Sequence, residues 1–120
     1  MPRLHDRTAL HERGFRDQLK AMLDHSRKLA TVQQRDVCVL IDATQARAVY
    51  TTGGACSAVM PVAEPSGLAP FVLPVPAGVV PGGAALLRFN SRGQPVPNAN
   101  QNISLGSLAL SISRETGIVR

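Results

Sequence analysis

The 120-residue chain is poor in aromatic residues: no Trp, one Tyr (Tyr50) and three Phe (Phe15, Phe71, Phe89). A core must therefore be built from Leu, Val, Ile and Ala, and the aromatic platforms on which single-stranded nucleic acid stacks have little to draw on. No apolar run is long enough to span a bilayer. No hydrophobic signal-peptide region precedes the first predicted element. The chain reads as soluble, and a place outside the cytoplasm would need a targeting segment that these residues do not contain. Motifs of common chemistries are missing as well: no P-loop, G-x-G-x-x-G, G-x-S-x-G or H-E-x-x-H occurs. Gly53-Gly54 and Gly82-Gly83 are isolated pairs, and neither opens a helix onto a phosphate. His5, His11 and His25 lack metal-ligand spacing and read as surface histidines. The acids are scattered, and Ser57, Ser66 and Ser107 have no recognisable base partner. The reading is of a protein that is not an enzyme and holds no cofactor and no metal.

What is present suits one small globular domain over residues 1–120, with 44% hydrophobic and 18% charged residues. The net charge is +5 and unevenly spread. Residues 1–35 hold eight Arg/Lys against four acids, +4, and the remainder five Arg against four acids, +1. Such a basic flank meets anionic headgroups, nucleic acid or an acidic partner, or is simply a solvated helix face.

Residues 9–34 carry a helical period. Phe15, Leu19, Met22, Leu23, Ser26, Leu29, Ala30 and Gln33 fall on one stripe. Thr8 is the predicted N-cap, with Glu12 in the first turns. Asp17 with Lys20, and Asp24 with Lys28, are spaced to pair. Gly14 weakens the first turns, so the helix starts near residue 9 or near Phe15.

From residue 36 onward the chain is β-rich. "DVCVLID" alternates, with Val37, Val39 and Ile41 on one face and Cys38 and Leu40 on the other. Residues 42–45 form a turn and "ARAVYTT" a second strand, a hairpin followed by a "GGACS" loop. Residues 55–87 hold one charge, Glu64, and six prolines, which exclude a helix and leave short edge strands near Phe71–Val75 and Ala84–Phe89. "NSRGQPVPNANQ" is a polar loop, and "NISLGSLALSIS" a tight hairpin around Gly106-Ser107 with Leu108, Leu110 and Ile112 on one face. Its Asn102-Ile103-Ser104 also matches a glycosylation acceptor, a three-residue pattern of low specificity. A last turn lies at Thr116-Gly117. The fold class is α+β: an N-terminal amphipathic helix across roughly six short antiparallel strands in one or more sheets.

Cys38 in the first strand and Cys56 after the second are brought near each other by a hairpin. Spacing alone allows a disulfide or two buried free thiols.

The order of motifs resembles the region after the membrane helix in type IV pilin-like proteins, above all GspH/FimT-like minor pilins and pseudopilins, including MSHA-type minor pilins. The residues that carry the resemblance are Pro2-Arg3, Asp6-Arg7, Arg13-Gly14-Phe15, the amphipathic helix, Cys38, Cys56 and Glu115-Thr116-Gly117. It implies a pilin-like domain whose N-terminal transmembrane anchor is absent here, with Met1 added. The missing anchor would supply both the membrane span and the filament core. It implies a Cys38–Cys56 disulfide suited to the periplasm. Other pilins or pseudopilins are the implied partners, with the inner membrane reached through the missing helix. The native place would be the inner membrane, periplasm and pilus or type II secretion pseudopilus of a Gram-negative bacterium. The weakly charged span 55–87 becomes a candidate subunit contact, against the plainer reading of loops and edge strands.

The leading function is that of a structural subunit acting in filament assembly or priming. The alternative is a DNA-binding minor pilin in DNA uptake. Some FimT-like proteins carry a C-terminal Gly-Arg-x-Arg motif. Gly117-Ile118-Val119-Arg120 keeps its ends but has Ile118 for the first arginine. Arg88, Arg92, Arg114 and Arg120 would form the DNA patch. A third reading is an unrelated β-rich binding domain, with no required disulfide.

Overall fold

A computed structural model describes residues 2–52, 55–83, 86–105 and 108–120. One helix, α1 (Pro2–Gln33), is followed by eight strands: β1 (Val37–Ile41), β2 (Gln45–Thr52), β3 (Ala55–Pro61), β4 (Val72–Pro74), β5 (Pro81–Gly83), β6 (Leu86–Phe89), β7 (Gln101–Leu105) and β8 (Leu108–Ile112). At about 1.5 Å per residue the 32 residues of α1 run about 48 Å, the full 49 Å length of the molecule.

α1 starts earlier than its local signals predict. It opens at Pro2, where a locked φ and a missing N–H cost nothing. Thr8 is therefore interior to the helix, and Gly14 is passed without a break. A glycine weakens a helix by only about 1 kcal/mol. The predicted stripe is the packed face: Phe15, Leu19, Met22, Leu23, Ser26 and Ala30 are buried, and Leu29 is half-buried. Gln33 is exposed because the helix ends there. Glu12 is buried one turn before Phe15. Asp17 pairs with its neighbour Arg16 (3.6 Å) and not with Lys20, and no ion pair joins Asp24 to Lys28. The C-terminus closes as a Schellman turn: Gln34 takes φ 53° and the Arg35 N–H donates to the Ala30 carbonyl (3.2 Å).

The strands form two antiparallel sheets. The first has the order β3-β2-β1-β6, with β4 also paired to β2. β3 uses the Val49–Thr52 end of β2, and β4 the Gln45–Arg47 end. The second has the order β5-β7-β8 and is extended by a bridge between Ile112 and Val119. α1 packs on β1, β2 and β6 of the first sheet and on β8 of the second. Val37, Val39 and Ile41 meet Ala46, Ala48, Leu87 and Phe89 beneath it, beside Ile103, Leu105, Leu110 and Ile112.

The β1–β2 turn, the β7–β8 pairing and the turn at Gly117 fall where the sequence places them. The segment read as the loop "GGACS" is corrected from Ala55 on: it is the start of β3. Small uncharged side chains carry little local signal, and β3 is defined by its pairing with β2. β5 is a further unforeseen strand, because Pro-Gly-Gly is extended here only through β7. Gly53-Gly54, Ala84-Ala85 and Gly106-Ser107 lie outside the described residues, as do the readings placed on them.

Candidate functional site

Cys38 and Cys56 are joined by a disulfide (S–S 1.98 Å, Cα–Cα 5.9 Å). Cys38 belongs to the face of β1 opposite α1, and Cys56 lies across β2, whose Thr51 pairs with it. The bond therefore spans three strands on the outer side of the first sheet. In the chain-entropy picture it removes about 3 kcal/mol of freedom from the unfolded chain.

Two charged devices flank it, and neither is visible in sequence spacing. The Arg35 guanidinium lies 4.5 Å from the centre of the Tyr50 ring and donates to the Thr51 carbonyl (2.9 Å). It thus ties the end of α1 to the middle of the first sheet. Arg88 donates through Nε to Asp36 Oδ2 at 2.7 Å, both side chains only about a quarter exposed. The β1–β6 register puts Arg88 beside Cys38.

That pairing divides the four arginines assigned to a DNA patch. Arg88 is committed to Asp36 on the first sheet. Arg92 sits exposed in the 90–95 loop, and Arg114 and Arg120 are exposed around β8. The Arg114 N–H donates to Asn100 Oδ1 (2.8 Å), and the Arg120 backbone exchanges two 2.9 Å hydrogen bonds with Ser111. Arg120 lines a cleft of about 510 Å³ with Asn102, Ser111, Ser113 and Glu115. The 90–95 loop approaches this end through Gln94 Nε2, which donates to the Glu115 carbonyl (3.3 Å). A β-carbon on Gly117 (φ 71°) would run into the Gly93 carbonyl, so the two loops meet backbone to backbone.

Two of the remaining polar candidates, His25 and Ser66, make structural contacts. His11 is exposed, and His25 sets its ring edge-on to Phe71 (centroids 5.6 Å apart). Ser66 is hydrogen-bonded to Glu64. The described residues contain no group of three His, Cys, Asp or Glu able to hold a metal ion. Asp42 holds the β1–β2 turn: its Oδ1 accepts from the Thr44 N–H, the Thr44 hydroxyl and the Gln45 N–H, each at 2.8 Å. Those bonds, the Thr44 N–H foremost, hold its carboxyl below its ordinary pKa of 3.8. Among the described residues no helix is long and apolar enough to cross a membrane.

No protein-family model matches the chain, and no curated protein sequence matches it. Two solved structures do, both of the type IV minor pilin FimU of Pseudomonas aeruginosa. In one crystal form the identity is 18% over 87% of this chain and 86% of that one, with a TM-score of 0.64. In the other the identity is 16% over 97% and 88%, with a TM-score of 0.68. At these identities the likeness is one of architecture alone. The chain has the pilin-like fold.

Proposed function

We propose that the chain is a non-enzymatic subunit of a type IV pilus or a type II secretion pseudopilus, of the GspH/FimT-like kind, acting in filament assembly. One observation carries this reading. α1 runs the length of the molecule, and among its described side chains Leu10 and His11 are exposed while burial starts at Glu12 and Phe15. A helix of 32 residues beside strands of three to eight is expected of a stalk that continues into an anchor. The disulfide supports the reading, since such bonds persist in oxidising compartments such as the periplasm. Other pilins or pseudopilins are the partners, with the inner membrane reached through an apolar segment upstream of Pro2.

The test uses the full gene product carrying an epitope tag. The expected result is membrane fractionation of the precursor, a portion in filaments released by shear, and fewer filaments when the gene is deleted. Free periplasmic or cytosolic protein, with filament number unchanged on deletion, would contradict it.

A second reading is DNA contact through Arg92, Arg114 and Arg120, favoured by their shared exposure and the absence of ion pairs to them among the described residues. It predicts DNA retention that falls steeply between low and moderate salt and is lost in Arg114→Ala/Arg120→Ala. No retention at low salt would rule it out.

A further inference from the structure

We infer that the outward face of the first sheet is the docking surface for a neighbouring filament subunit, which presents a carboxylate flanked by apolar side chains to Arg47. The inference rests on the filament reading above and names the face and the chemistry of the partner.

The strand register supplies the first observation. Leu86 pairs with Leu40, Leu40 with Arg47, and Arg47 with Val72. These four residues form one row across β6, β1, β2 and β4. Their chain neighbours Leu87, Val39, Ala46, Ala48 and Leu73 pack into or against the core under α1. Side chains alternate along a strand, so the row stands on the opposite, outward face. Leu86 is 49% and Val72 42% exposed. A row of Leu, Leu and Val on the solvent side reverses the usual alternation of a sheet with one wet face.

The second observation is Arg47 itself. It is the cation in the middle of this row, and its Nε is buried without a hydrogen-bond partner. Its guanidinium makes no ion pair within 4 Å among the described residues. Asp42, the acid whose pKa it influences, spends its Oδ1 on Thr44 and Gln45. A guanidinium laid over apolar side chains loses solvation and regains it only through an acceptor. The other arginine on this face, Arg88, already has Asp36. The next row along the sheet is closed by the disulfide, with Cys38 and Val49 buried. Around this row the open part of the face is apolar, with the exposed Asp42 at its turn end and one positive charge that no ion pair within 4 Å answers among the described residues.

A second copy docked with its two-fold axis through the middle of this row would set Arg47 against Arg47, and each chain already carries +5. The occupant is accordingly a different subunit, with a carboxylate to fork onto the guanidinium and apolar groups for Leu40, Val72 and Leu86.

The test places a photocrosslinking amino acid at position 40 or 72 of the full-length protein in the cells that make the filament, with position 111 as the control. Adducts are identified by peptide mass. The expected result is an adduct with another filament subunit at 40 and 72 and none at 111. Arg47→Glu should cut it roughly tenfold or more, and Arg47→Lys much less. If Arg47→Glu lowers the thermal midpoint, Arg47→Gln serves in its place. Filament adducts through 111 only, an adduct with the same face of a second copy, or a yield indifferent to Arg47→Glu would overturn the docking face. The filament reading would then stand on shear release. No filament adduct at any position, with the protein absent from sheared filaments, would overturn both.

Discussion

The two sheets share a core but differ on their outer faces. On the second sheet the outward row across β7, β8 and the chain end is Asn102, Ser111 and Arg120, all exposed and polar. On the first the corresponding kind of row is Leu86, Leu40, Arg47 and Val72. The inner faces show no such difference: Val39 and Leu87 on one and Ile103 and Leu110 on the other are equally buried beside α1. The inner rows build the core under α1 on both sheets. An outer row is free to be polar, as the second sheet shows, so the apolar outer row of Leu86, Leu40 and Val72 sets the first sheet apart.

The largest effect that sharpens this contrast lies within one strand. Leu110→Ala removes a buried side chain and should cost about 3 kcal/mol. Its outward neighbour Ser111→Ala should stay within about 0.5 kcal/mol. Urea unfolding of both variants measures the difference, and equal costs would break the division into inner and outer rows. Next comes the disulfide, which only the first sheet has. Reducing it, or Cys38→Ala with Cys56→Ala, should lower stability by about 2–3 kcal/mol, read as a shift of the urea midpoint with reductant. Arg88→Ala should cost about 1–2 kcal/mol, since it leaves Asp36 three-quarters covered without its partner.

The smallest effect is a pH dependence at the β1–β2 turn. Asp42 has a folded pKa below its ordinary 3.8, so the folded state favours its charged form. Its contribution is complete above that ordinary value and is lost as pH falls through the folded one. The acid limb of stability against pH should therefore be shallower in Asp42→Asn, as followed by thermal unfolding between neutral and strongly acidic pH.

Much of this fold is legible in the sequence, and the exceptions share a cause. The buried stripe of α1 and the alternation of β1 and β8 are local periodicities, and they survive into the structure. The start of α1 is misread because Thr8 and Gly14 are weak local signals that a long helix overrides. β3 and β5 are strands through pairing alone, with Cys56 and Pro-Gly-Gly in them giving no periodic pattern. The same limit applies to the candidate sites. Arg88 is readable as a positive charge, but its partner Asp36 is 52 residues away in the chain. The row around Arg47 draws one residue from each of four strands, two of them three and four residues long. Only the register brings those residues together.

The most direct measurement is hydroxyl-radical footprinting of the full-length protein in assembled filaments against the isolated domain. Protection of Leu40, Val72 and Leu86, with Ile118 at the polar cleft unchanged, is the predicted result. Equal labelling of the two states at all four positions would contradict the account.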